Sequence, residues 1–319
     1  MPRMAVVVVS YNARDDLLLC LRSLQEAAPP ATPVTVVDNG STDGGPALVR
    51  AAFPHVDVTV DPANRGYGAA ANLGARRTSL PYLLVLNSDV VLLPGSVDAL
   101  SDYLDAHSRV ALAGPRLRAP DGTLEPSCHA PLGTLHSVLE KGVIGRTLAS
   151  VPGFGSRWAL LNGPHDRPRP VPWVTGAALA IRRAAFDAVG GFDESYFMYA
   201  EEADLCWRLR QAGWEVHFAP VTDVIHRGGA STAPIRGRMA LQKVRSAIRF
   251  YRRHYPKPRA GLLVLGIRTA MLFRYARDAV RLRMAGDPAT RSRLTEDLTL
   301  WRRALRRPDA DPLRGVQPG

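Results

Sequence analysis

Val6 to Val9 is an unbroken β-branched run, the pattern of a parallel strand covered on both faces, and Leu17, Leu21 and Leu24 follow it at helical spacing. The same order then repeats. Val34 to Val37 predicts a second strand that ends in Asp38-Asn39-Gly40-Ser41-Thr42-Asp43-Gly44-Gly45, whose small polar residues make a tight loop before Pro46 to Phe53. A third strand is expected at Val56 to Val60. Asn64-Arg65-Gly66-Tyr67-Gly68 reads as a glycine loop opening the small-residue segment Ala69 to Arg77, and Tyr82 to Leu86 returns to strand. Alternating strands and helices predict an α/β fold with a mostly parallel sheet covered by helices on both faces.

Beyond Asp89 the pattern predicts a helix over Ser96 to His107 and a strand over Val110 to Gly114. Arg116 to Pro172 is irregular and rich in Gly and Pro, as a variable insert would be. Regularity resumes with a strand at Thr175 to Ile181, helices at Ala184 to Val189 and Ala203 to Ala212, and a strand at Glu215 to Phe218 leading towards His226. From Arg236 the chain is helical and basic, broken at Pro256 and Pro258. Residues 1–235 therefore read as one α/β domain and 236–319 as a basic helical extension.

Charge sharpens that division. From Arg236 onward 21 Lys and Arg stand against 6 Asp and Glu, so this region carries +15 and the preceding chain −3 of a net +12. A basic appendage on a near-neutral body suggests an anionic surface as partner, membrane lipid or nucleic acid. Three cysteines without metal-ligand spacing argue against a disulfide framework or structural zinc and fit a reducing, cytoplasmic compartment. Met1 to Val9 reads as a first strand rather than a leader. The longest later apolar stretch, Ala260 to Ile267, falls well short of the roughly 18 residues that suggest a spanning helix.

Against this frame, Asp89 is the most informative residue. It follows the apolar run Tyr82 to Leu86 in Leu86-Asn87-Ser88-Asp89, at the carboxyl end of a buried strand, where α/β sheets bind ligands and a carboxylate can hold a divalent cation against a phosphate. One carboxylate leaves most of about six ligand positions to diphosphate oxygens, water and a further protein group. His226 is a candidate for that group, and Arg227 beside it for a phosphate contact. Asp38 suits either a base or ribose contact or an ordinary turn. Gly66 and Gly68 permit close approach of backbone to phosphate but lack the third glycine of a dinucleotide fingerprint.

In Glu201-Glu202-Ala203-Asp204-Leu205, helical spacing puts Glu202 on one face with Leu205, Leu209 and Ala212, while Glu201, Asp204 and Arg208 share another. Pairing of Arg208 with Glu201 or Asp204 on the solvent side would leave Glu202 directed into the protein. First-turn acids also complement the helix dipole, by ~0.3–1 kcal/mol, without any catalytic role. Trp173, ahead of a strand, is placed to stack on a sugar ring.

Taken in order, Val8-Val9-Ser10-Tyr11-Asn12, Val37-Asp38-Asn39-Gly40-Ser41-Thr42-Asp43, Asn64-Arg65-Gly66-Tyr67-Gly68 with Asn72, Leu86-Asn87-Ser88-Asp89, Thr175-Gly176-Ala177, and Glu201-Glu202-Ala203-Asp204-Leu205-Cys206 with Arg208 resemble family 2 glycosyltransferases, most closely the rhamnosyltransferase-like branch. The resemblance spans about Ala5 to Gly229. It implies a GT-A fold, a nucleotide-sugar donor, a divalent cation (Mg2+ or Mn2+) and inversion at the sugar carbon. By the same analogy Asp38 contacts the base, Ser10, Tyr11 and Asn64 line the nucleotide pocket, Asp89 binds the metal and His226 completes its shell. Asn12, Gly66, Gly68, Asn72, Asn87 and Ser88 belong to the donor-side motifs. Thr175 and Gly176 join Trp173 and Arg227 as acceptor-side candidates.

Glu202 matches the general base, with Glu201 and Asp204 as the other acids of that motif. The family usually has Asp at position 202, and Asn87 replaces the first acid of its two-acid triplet. Branch resemblance points to dTDP-rhamnose, with UDP-hexoses or galactofuranose as alternatives, and the charge asymmetry of the chain suggests a saccharide or lipid-linked saccharide acceptor at a cytoplasmic membrane face. A nucleotidyltransferase would carry a Gly- and Lys/Arg-rich triphosphate loop near the first strand, unlike Ser10-Tyr11-Asn12-Ala13-Arg14. A non-catalytic nucleic-acid or membrane module leaves the α/β body unexplained, and no nucleic-acid partner is expected.

Overall fold

A computed structural model describes residues 1–134, 165–228 and 236–306. Most of the expected insert, 135–164, lies outside the described residues, as do Gly229 and the last residues, 307–319. The chain divides into two compact units, one of Met1–Phe197 with Glu201–Ser231, the other of Met198–Ala200 with Thr232–Gly319.

The first unit begins β1 (Met4–Ser10), α1 (Arg14–Ala27), β2 (Val34–Asp38), α2 (Gly45–Ala52), β3 (Asp57–Val60), α3 (Tyr67–Ala75) and β4 (Tyr82–Asn87). It continues with β5 (Val90–Leu92), α4 (Ser96–Ala106), β6 (Val110–Arg118), β7 (Leu124–Glu125), β8 (Cys128–His129), β9 (Arg169–Pro170), β10 (Trp173–Val174), β11 (Ala178–Arg182), α5 (Arg183–Ala188), α6 (Glu201–Gln211) and β12 (Glu215–His226). The main sheet runs β3-β2-β1-β4-β11-β6-β12-β5, with β7 on β6 and β9 on β12.

β1, β2, β3 and β4 are mutually parallel, as are β6 and β12. β11 is antiparallel to both β4 and β6. An apolar run carries no direction, so this reversal is invisible in the sequence. The expected strand from Thr175 begins only at Ala178, as β11, and the two residues before Thr175 form β10, which pairs with β8 in a separate small sheet. Within the expected insert, β6 extends to Arg118 and Leu124–Glu125 folds back on it as β7.

Both faces of the sheet are buried, which is why its strands lack polar alternation. In β1, Met4, Val6 and Val8 enter one core with Leu17, Leu21 and Leu24 of α1, while Ala5, Val7 and Val9 enter the other with Ala70 and Ala71 of α3 and Leu205 and Leu209 of α6. The small residues of α3 have a steric cause. A Cβ at Gly74 would stand 2.3 Å from Val7 Cγ1, so only glycine lets the helix approach β1 this closely. The arrangement aligns the carboxyl ends of β1, β2 and β4 with the start of β11, since Ala178 pairs with Leu86.

Candidate functional site

Strand register brings Asp89 and His226 together. β5, which starts one residue after Asp89, pairs antiparallel with the end of β12, His226 opposite Val90, and the Arg227 N–H donates to the Asp89 carbonyl at 2.9 Å. The His226 Nε2 lies 3.5 Å from Asp89 Oδ1. Its other nitrogen, Nδ1, sits 2.9 and 3.0 Å from the two oxygens of Glu125. Burial works against the His226 charge, but the hydrogen bonds and charges of Asp89 and Glu125 outweigh it and lift its pKa to about 10.

With the ring proton given up, Asp89 Oδ1 and His226 Nε2 are close enough to share one divalent ion. Ligand atoms about 2.0–2.2 Å from one cation and 90–110° apart stand roughly 3.0–3.5 Å from each other. Glu125 on the far ring nitrogen is the orienting carboxylate that metal-ligating histidines carry. Among the described residues no group of three or more His, Cys, Asp or Glu is placed to hold an ion together. The remaining positions would fall to substrate oxygens and water. Sequence reasoning missed Glu125, which lies in the expected insert. The turn signal Pro120-Asp121-Gly122 just before it marked a hairpin.

A short backbone strip joins this end of the site to the acidic helix. The Asn87 N–H donates to the Ala177 carbonyl at 3.0 Å, the Tyr67 hydroxyl donates to the Gly176 carbonyl at 3.0 Å, and a Cβ at Gly176 would touch the Glu202 side chain at 3.5–3.7 Å. Burial, then the negative charges of Glu201, Glu202 and Asp89, push the Tyr67 hydroxyl well above its ordinary pKa. Asp89 and Glu202 thus share one electrostatic neighbourhood around Tyr67 and Gly176. Tyr67 stood inside the glycine loop with nothing in its spacing to single it out. Ser88 is buried beside Asp89 and Asn87 is half-buried.

The acids of α6 depart from the expected faces. Glu201 is buried, not solvent-facing, and burial together with the Glu202 charge raises its pKa well above the carboxylate range. Asp204 is fully buried and paired with Arg208 at 2.6 Å inside the protein, which makes it a structural acid. Glu202 is half-buried against Gly176.

On the nucleotide side, Asp38 proves to be a loop organiser. Its Oδ1 accepts from the N–H groups of Gly40 and Ser41 at 3.0 and 2.8 Å, and its Oδ2 from the Ser41 hydroxyl at 2.6 Å. Asn12, with φ +44°, accepts the Thr42 N–H at 2.8 Å and gives its own N–H to Ser41 Oγ, stapling the two loops. Ser10 is buried at the end of β1, and burial raises the Tyr11 hydroxyl above its ordinary pKa.

At three of the expected donor-side positions the structure shows close protein neighbours. A Cβ at Gly66 (φ +101°) would lie 2.0 Å from the Phe197 carbonyl oxygen, and one at Gly68 would lie 3.0 Å from Phe192 Cβ, so both glycines admit neighbouring chain on that side. Asn72 is buried, donating to the Phe192 carbonyl at 2.9 Å and accepting its N–H at 2.9 Å. On the acceptor side His129 stacks on one face of Trp173, ring centroids 4.0 Å apart, and the Trp173 indole N–H donates to the Ala130 carbonyl. Thr175 Oγ1 is 2.9 Å from His129 Nε2. Arg227 pairs with Asp16 at 2.8 Å, so its guanidinium is engaged by α1.

The family model "Glycosyl transferase family 2" matches residues 5–190. The chain belongs to this family. The transferase is 37% identical over 238 residues, 71% of its length and 76% of the relative's, to an N-acetylglucosaminyl-diphospho-decaprenol L-rhamnosyltransferase of Mycobacterium tuberculosis. The rhamnosyltransferase WbbL of Escherichia coli matches a shorter segment, 45% identical over 56 residues, 18% of this chain and 21% of that protein. In fold, the transferase is similar to the mannosyltransferase PcManGT from Pyrobaculum calidifontis in complex with GDP-Man and Mn2+, with TM-score 0.57, 17% identity and coverage of 96% of this chain and 84% of that one. The GT-A fold implied by the motifs is the fold observed.

Proposed function

We propose that the transferase moves L-rhamnose from dTDP-rhamnose to a hydroxyl of a lipid-linked N-acetylglucosaminyl diphosphate, with inversion, at the cytoplasmic face of a membrane. The sugar and acceptor are carried over from the mycobacterial relative. One observation of the site supports the chemistry: the Gly176-Ala177 strip sets Glu202 against one end and the Asn87-Ser88-Asp89 loop against the other.

The acceptor hydroxyl oxygen attacks the anomeric carbon, its proton passes to a Glu202 carboxylate oxygen, and the bond from that carbon to the diphosphate oxygen breaks. A positioned base contributes roughly 10²- to 10⁴-fold. Asp89 and His226 would hold the divalent cation, which offsets the charge of the departing diphosphate. Ser10, Tyr11 and Asn64 would line the nucleoside side, next to the loops that Asp38 and Asn12 hold together. Burial and the neighbouring Glu202 charge raise the Glu201 pKa, so of the two adjacent carboxyls the half-buried Glu202 is the one assigned as base.

The test is transfer by the purified chain to a polyprenyl-diphosphate N-acetylglucosamine, with dTDP-rhamnose, UDP-hexoses and UDP-galactofuranose offered in Mg2+ or Mn2+. Product is expected from dTDP-rhamnose, with Glu202→Gln at least about 100-fold slower and Asp89→Ala inactive, both folded. Wild-type turnover by Glu202→Gln rejects the base, and a UDP-sugar preference rejects the donor.

A further inference from the structure

The second unit contains α7 (Arg236–His254), α8 (Lys257–Met284) and α9 (Pro288–Arg306). Leu241, Met271 and Trp301 form its small core, with Ile267 and Tyr275 packed beside them, so Met271 marks the inner face of α8. The opposite face of α8 is apolar too. Leu262, Leu265, Phe273, Val280 and Met284 recur at helical spacing, 180° from Met271 within about a third of a turn, and are 70, 60, 74, 55 and 80% exposed. Single exposed apolar residues are ordinary, but a stripe about 33 Å long is an interaction surface by the measure of soluble proteins.

Cations border the stripe. By helical position Arg259, Arg277 and Arg281 lie along one margin and Arg283 along the other. The single acid of α8, Asp278, is buried on the inner side and paired with Arg277 at 2.8 Å. The exposed charged side chains of α8 itself are therefore all basic.

We propose that this stripe docks the transferase onto an anionic phospholipid bilayer, with α8 lying in the interface plane, its apolar side chains at the acyl boundary and its arginines at the lipid phosphates. A second copy of the chain fits worse, because a two-fold contact along the stripe would set arginine margins against each other. No described helix is long and apolar enough to cross a membrane, so α8 lies on the bilayer rather than through it. The inference deepens the proposed reaction, resting on it for the sense of a membrane-held acceptor.

Flotation of the full chain with vesicles tests it, since that readout involves no transfer and fails independently of the proposed reaction. Binding is expected to vesicles of equal phosphatidylglycerol and phosphatidylcholine, and to be at least tenfold weaker to phosphatidylcholine alone or in high salt. Phe273→Asp with Val280→Asp, both at exposed positions, is expected to lower binding about tenfold or more. Its helicity and its turnover of a water-soluble acceptor should stay unchanged. Arg277→Gln with Arg281→Gln should remove most of the salt-sensitive part. Undiminished flotation of the Asp double variant overturns the proposal. So does a wild-type chain that fails to float but sediments as a dimer the same substitutions dissociate, which assigns the stripe to a second copy.

Discussion

Glu125 shows how a residue with no motif of its own can govern one that has. It contributes no atom to the Asp89 side of His226, yet by engaging Nδ1 it leaves Nε2 facing Asp89. Glu125→Gln should keep the fold and weaken Mn2+ affinity about 10- to 100-fold, measured by titration calorimetry in the presence of dTDP. Unchanged affinity would remove Glu125 from the site. Asp89 and His226 were legible because each ends an apolar run, whereas Glu125 depends on a pairing across more than a hundred residues. The faces of α6 were misread for a related reason. Glu201, Ala203, Asp204, Leu205, Cys206 and Leu209 are all buried, so the helix has no single inward side for a wheel to find.

At the level of elements, strands and helices of the parallel half follow from periodicity, but the junctions that shape the site do not. β6 and β12 run parallel with a register shift between Phe218 and Asp223, and there Arg116 and Arg118 both grip the Asp223 carboxylate, the latter at 2.6 Å. Burial would raise the Asp223 pKa, yet the two arginines hold it below its ordinary value. A carboxylate depressed in the folded state stabilises above its unfolded pKa of about 3.9 and ceases to do so as pH falls through the folded value. Asp223→Asn should therefore cost about 1–3 kcal/mol near neutral pH, with the difference in Tm from wild type shrinking progressively as the pH falls below about 3.9. A difference that stays constant as the pH is lowered through that range would show that the charge is irrelevant.

Across the whole molecule, hydrophobic content is unequally shared. The first unit has extensive buried clusters on both faces of its sheet, while in the second the cluster around Met271 is small and Ile248, Phe250 and Leu294 are buried apart from it. Hydrogen exchange of the intact chain should show amides of β1, β4 and β11 protected to near the global limit and those of α8 and α9 exchanging orders of magnitude faster. Equal protection would mean that the helical unit draws stability from something other than its own core. The charge division at Arg236 was plain in the sequence, but the two-sided apolar character of α8 emerged only with the burial of Met271.

The backbone contact between Gly66 and Phe197 has one more implication. With the Tyr67 N–H bonded to the Phe197 carbonyl at 3.0 Å and no space for a side chain at 66, the loops leading into α3 and towards α6 are riveted together. Neither can swing like a hinge without the other. Spin labels at Arg65 and Ser195 should keep one fixed separation whether or not donor is bound, so any closure over the sugar must come from a different wall.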